Sequence, residues 1–178
     1  IIPLPEAEEY QIRVREKASQ ERAARHQEGQ REQLNLKFWS QLLPKANAVT
    51  TLHQNVSPSK KHWVSTSRHG LEFNYVLARD RGRIELYIYR SDRDENKAIF
   101  DDLESHKAEI EQAFGGTLSW QRLGQKKACR IASFTTEGSS KDESTWDKLH
   151  AQMIDLMIRL DKAVSPHIEK YQQGEKPV

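Results

Sequence analysis

Two rhythms of apolar and polar positions run along this chain, and the switches between them mark its elements. From about Glu6 to Gln33 neither rhythm is strong. The residues favour helix and are highly charged, the apolar positions are Tyr10, Ile12, Val14 and a few alanines, and Gly29 interrupts them. A helix with so little to bury predicts a charged helical arm or interdomain connector over residues 1–33, not a core element. At Leu34 the pattern changes: Leu34, Phe38 and Leu42 recur every four residues, with Trp39 and Leu43 beside them. That spacing predicts a core-facing helix ended by Pro44. Residues 45–60 read as a loop.

The second rhythm has a period of two. After a short strand over His62–Thr66, the residues Leu71, Phe73, Tyr75 and Leu77 alternate with Glu72, Asn74, Val76 and Ala78. Ile84, Leu86 and Ile88 then alternate with Arg83, Glu85, Tyr87 and Tyr89, and Asp80-Arg81-Gly82 supplies a hairpin turn. Helical spacing returns at Ile99, Phe100, Leu103, Ile110, Ala113 and Phe114, which predicts one amphipathic helix over 96–114 stopped by Gly115-Gly116. Leu118–Leu123 and Lys127–Phe134 predict a second hairpin through Gly124-Gln125. A polar loop leads to a long helix marked by Trp146, Leu149, Met153, Leu156, Met157, Leu160 and Val164. Ser144 with Asp147 resembles a capping box at its start, Pro166 predicts a kink, and 172–178 reads as a flexible tail. The order is helix, three strands, helix, two strands, long helix. It predicts an α+β domain over 34–171 with a mainly antiparallel five-stranded sheet.

Composition narrows the class. With 178 residues, 36% hydrophobic and 30% charged, the chain is one domain with room for the arm, and it is not polar enough to be disordered throughout. The single cysteine, Cys129, excludes an internal disulfide and a cysteine-rich zinc site. No apolar run approaches the roughly 20 residues of a membrane span, so no membrane partner is expected and a cytoplasmic location is the expectation. The start, IIPLPEAEEY, has neither an initiator methionine nor a signal-peptide pattern, and it reads as the beginning of a fragment of something longer.

No catalytic pattern is complete. A nuclease site of the PD-(D/E)XK type needs a lysine two residues after its second acid, but Tyr87 follows Glu85 and Asn74 follows Glu72 at that spacing. Glu85 therefore reads as a surface glutamate on a strand. The seven histidines include no pair at a short ligand spacing, so no metal site is expected. Cys129 lies within a strand, where a thiol packs, and Gly115-Gly116 has no following lysine to make a phosphate loop. No cofactor and no catalytic residue is assigned, and the chain itself reads as noncatalytic.

Charge is distributed unevenly. The net charge of +2 conceals +4 over residues 60–90, +4 over 120–130 and −5 over 91–119. The strands are thus basic and the central helix acidic, a pattern that attracts polyanions. Lys60, Lys61, Arg79, Arg81, Arg83, Lys126, Lys127 and Arg130 are the candidate nucleic-acid-binding residues. Trp63, Tyr87, Tyr89 and Trp120 are interleaved with them. Stacking on bases is one role for these aromatics, and packing beneath another element is the expected one.

A set of anchors carries a family resemblance. They are Lys37-Phe38-Trp39, Trp63, Gly70, Arg83-Ile84-Glu85-Leu86-Tyr87-Ile88, Asn96-Lys97, Phe100-Asp101, Ile110-Glu111, Phe114-Gly115, Leu118-Ser119-Trp120 and the helix from Trp146 to Pro166. In this order they resemble the bacterial and archaeal domain-of-unknown-function family 4268, over residues 34 to about 171. The resemblance implies a domain that often lies C-terminal to a PD-(D/E)XK nuclease-like domain, in a setting of restriction or phage defence. It implies no catalytic residues. Together these observations lead to the expectation of a noncatalytic accessory domain of a nucleic-acid-processing or genome-defence protein. It would contribute DNA contact or assembly, with DNA, an N-terminal nuclease-like domain or another subunit as partner. The alternatives are a protein-binding or dimerisation module and, more weakly, a degenerate or metal-dependent nuclease.

Overall fold

The computed structural model describes residues 5–171; the predicted tail, 172–178, and the first four residues of the arm lie outside the described residues. The chain runs through α1 (Pro5–Asn47), β1 (Trp63–Arg68), β2 (Leu71–Ala78), β3 (Arg81–Ile88), α2 (Arg93–Ser105), α3 (Lys107–Phe114), β4 (Ser119–Gln121), β5 (Cys129–Phe134) and α4 (Trp146–Ile168). The strands form one antiparallel sheet in the order β1-β2-β3-β5-β4, as the α+β pattern predicts.

The period-two alternation sorts the sheet into two faces. Val64, Phe73, Leu86 and Ile131, with Tyr75, Ile84, Ile88 and Cys129, are buried in one apolar core. The helices close that core with Ile99, Phe100, Leu103, Ile110, Phe114, Leu149, Met153 and Leu160. The C-terminal part of α1 joins them through Phe38, whose ring meets Trp146 edge-on at 5.0 Å. Lys37–Glu143 at 2.5 Å and Lys45–Asp147 at 2.7 Å flank this contact. Val76 and Ala132, on the opposite face, are buried but do not belong to the core.

Several boundaries differ from expectation. The arm and the first core helix are one continuous helix. Gly29 does not break it, since one glycine costs only about 1 kcal/mol relative to alanine. Pro44 and Pro166 both lie in the last turn of their helices; each forgoes one N–H bond to the turn before it, and the helix runs only two or three residues further. The helix predicted over 96–114 is two helices meeting at His106 (φ −102°, ψ 15°). There the Ser105 hydroxyl donates to the Asp102 carbonyl at 2.6 Å, a local bond that competes with the helix ladder. Gly115 caps α3 in the left-handed region (φ 77°), as the sequence implies.

The first hairpin turns at Arg79 and Asp80, not at Asp80-Arg81-Gly82, and Arg79 takes the positive φ of 62°. Gly82 serves a different need: a Cβ there would stand 2.6 Å from Cγ and Sδ of Met153, so glycine is what lets α4 approach β3. The predicted capping box is also absent. Asp142 instead accepts from the Ser144 backbone N–H at 3.1 Å and caps a 3₁₀ turn, while Asp147 is taken by Lys45.

Candidate nucleic-acid interface

Antiparallel register arranges the second sheet face in rows. One row runs Trp63, Val76, Arg83, Phe134; the next runs Ser65, Asn74, Glu85, Ala132, Ser119; a third runs Ser67, Glu72, Tyr87, Arg130, Gln121. Along β3 this face is about 23 Å long at about 3.3 Å per residue.

At its centre Glu85 is 4% exposed, so it is not the surface glutamate expected from sequence. Its Oε2 lies 2.7 Å from Arg83 Nε and 3.4 Å from Arg130 Nε, and its Oε1 accepts from Asn74 Nδ2 at 3.1 Å. The two arginine contacts are ion pairs without hydrogen-bond alignment, which leaves Oε2, both Nε atoms and Asn74 Oδ1 buried without hydrogen-bond partners among the described residues. One carboxylate thus holds two guanidinium groups on a strand surface where their charges would otherwise repel. Burial lowers the Arg83 pKa, an effect opposed by Glu85, and burial raises that of Glu72 nearby. A pocket of about 390 Å³ opens over this cluster, with Trp63 and Tyr87 at its sides.

The aromatics on this face correct the expectation of packing. Tyr89 is 50% and Trp63 37% exposed, and Tyr87 is half-buried. The Tyr87 and Tyr89 rings lie nearly parallel, 28° apart, at 5.9 Å. Three cations sit over exposed or half-buried rings: Lys127 over Tyr89 at 4.9 Å, Lys61 over Trp63 at 5.0 Å and Arg81 over Phe134 at 4.1 Å. Only Trp120 packs as expected, edge-on against Phe100 on the core side.

Of the eight candidate cations, Arg83 and Arg130 lie centrally on the face. Arg81 and Lys61 border one end of it and Lys127 the other. Lys126 is exposed in the β4–β5 connection, at the Lys127 end. Lys60 stands aside, 3.6 Å from Glu32 of α1. Arg79 lies at the margin: it lines one pocket with Gln27 and Arg31 and another with Arg81, Arg83 and Phe134. Sequence reasoning missed Glu85 and Asn74. Their signal was a glutamate and an asparagine at the middle of hairpin strands, where an uncompensated polar residue is costly.

The connection bearing Lys126 and Lys127 is held from below by a residue that the sequence offered only as one of the family anchors. Lys97, 5% exposed, donates to the carbonyls of Arg122 (2.5 Å), Leu123 (3.0 Å) and Ala128 (3.0 Å) and lies 3.3 Å from Cys129 Sγ. Among the described residues no group of three or more His, Cys, Asp or Glu is placed to hold a metal ion.

The chain belongs to the family described as a domain of unknown function (DUF4268), whose model matches residues 34–168, in agreement with the resemblance carried by the anchors. The match begins where α1 turns from exposed to buried residues. No curated protein and no solved structure matches the chain.

Proposed function

We propose that this DUF4268 domain is a noncatalytic accessory module of a nucleic-acid-processing or genome-defence protein, and that its second sheet face is the surface that contacts DNA. The observation that carries this reading is the convergence of Arg81, Arg83, Arg130, Lys61 and Lys127 on one face with Trp63, Tyr87 and Tyr89. The cations neutralise phosphates and release condensed counterions, which gives affinity with little sequence selectivity. Glu85 is engaged by two arginines, which suits it to positioning them rather than to chemistry.

A second reading, a protein-binding or dimerisation module, has its own support in the arm. Residues 6–31 of α1 are exposed apart from Ala18, and they include Tyr10 at 70%, Ile12 at 54% and Val14 at 49%. Binding to duplex and single-stranded oligonucleotides over a salt series separates the two. Arg81→Glu, Lys126→Glu and Lys127→Glu together should weaken binding to all sequences alike and flatten the salt dependence. Absence of any association at low salt, or no effect of the triple reversal, favours the assembly module.

A further inference from the structure

Resting on that reading, we infer that the sheet face takes a single-stranded polynucleotide rather than a duplex, with phosphates at Arg83 and Arg130 and bases on Trp63 and the Tyr87–Tyr89 pair. Phosphate contact alone does not distinguish the two forms, since both present a polyanionic backbone. The aromatic side chains do. In a duplex the faces of the bases are stacked on one another inside the helix, and a ring on a protein surface reaches only their edges. An unpaired base presents its whole face, and rings standing on a sheet are platforms for it.

The rings are placed for two unpaired bases of one strand, separated by at least one nucleotide. Trp63 shares a row with Arg83, and Tyr87 shares a row with Arg130, so each platform has an arginine in its own row. The two rows are four residues apart along β3, about 13 Å. Lys61 lies over the Trp63 ring and Lys127 over the Tyr89 ring, so a base that stacks on either ring displaces its lysine or takes the other face, and the freed ammonium meets the adjacent phosphate. Between the rows, the Glu85 carboxylate lies nearest the Nε atom of each arginine, and each guanidinium keeps its Nη groups as further donors. Those Nη groups are the donors left for phosphate at the rim of the pocket. Glu72 and Glu85, which also line the pocket, repel phosphate from its interior and confine it to the arginines.

The test compares three probes of the same sequence and about 12 nucleotides, a length within the range one small domain covers. They are single-stranded DNA, single-stranded RNA and duplex DNA, each followed by anisotropy with the full chain. Tight binding of either single strand, at least about tenfold tighter than the duplex, is expected. Trp63→Ala and Tyr89→Ala, at exposed positions where the fold tolerates truncation, should each weaken single-strand binding roughly tenfold and leave duplex binding unchanged. The difference between the DNA and RNA strands identifies which source of single strand the face prefers. Duplex binding as tight as single-strand binding, with a steep salt dependence, overturns this inference while leaving nucleic-acid contact standing. Single-strand binding unaffected by both substitutions also overturns it. No binding of any probe overturns both.

Discussion

Arg83 holds the buried carboxylate of Glu85 from two residues away on the same strand, Nε to Oε2 at 2.7 Å, and Arg130 approaches the same oxygen from the neighbouring strand at 3.4 Å. The arginine side chains are 19% and 18% exposed and the glutamate 5%, so water screens the cluster only in part. Breaking a fully buried pair from one side costs about 3–5 kcal/mol, and partial exposure reduces that. Glu85→Gln should therefore lower the stability of the fold by about 1–3 kcal/mol, read from urea denaturation. An unchanged midpoint would mean that the two arginines do not depend on the carboxylate.

Lys97 makes a second expectation. Its ammonium satisfies three carbonyls of the β4–β5 connection, and Lys97→Met removes the donor while keeping most of the volume. Hydrogen bonds to a charged group are each worth about 1.5–3 kcal/mol, and the carbonyls regain water only where the loop opens. The variant should lose at least about 2 kcal/mol, with faster amide exchange concentrated at residues 122–129. Uniform exchange across the sheet would contradict a local role.

Acid should destabilise the fold before its carboxylates titrate. Burial lowers the His53 pKa from 6.5 to about 4, against the opposing bond to the Phe73 carbonyl at 3.0 Å. Burial, aided by the charge of Lys45, lowers the His150 pKa from 6.5 to about 4. Both are neutral in the folded state, so between these values the unfolded chain binds more protons, and stability falls as pH drops from 6.5 towards 4. Asp101 beside Arg122 and Asp147 beside Lys45 have lowered pKa values, so their contributions persist to lower pH and are lost only below the ordinary carboxylate range. The urea midpoint should therefore decline through the histidine window, and His53→Gln with His150→Gln should flatten that decline. A wild-type profile already flat in this window would show that the two rings are not held neutral.

The arm and the core should separate on truncation. Residues 6–30 of α1 are exposed apart from the half-exposed Ala18, so the cooperative thermal transition should survive removal of residues 1–30. Leu103→Ala, at a fully buried position, should cost about 2–5 kcal/mol in the same assay. Loss of cooperativity in the truncated chain would make the arm part of the core.

What was legible in the sequence followed from burial. Leu71, Phe73 and Tyr75 against Glu72 and Asn74 fixed the strands and their inner face, and Ile99, Leu103, Ile110 and Phe114 the helices behind it. Boundaries set by particular contacts were less legible. Gly82 resembles a turn glycine until Met153 is known to lie against it, and the break at His106 depends on a hydroxyl choosing a nearby carbonyl. At the candidate site the charge of Arg83 and Arg130 was visible. Their convergence on Glu85 was not, because Arg130 is 45 positions from Glu85 and reaches it only through the β3–β5 register.

The most direct test maps contact onto the fold. In an NMR titration of the full chain with a short unpaired oligonucleotide at low salt, the amides of Asn74, Arg83, Glu85, Tyr87, Tyr89 and Arg130 and the indole of Trp63 should shift together. Those of Leu103, Ile110 and Phe114, on the helical side, should not move. Shifts confined to residues 6–31 of α1, or to α4, or absent at every ratio, would contradict the assignment of the second sheet face as a nucleic-acid surface.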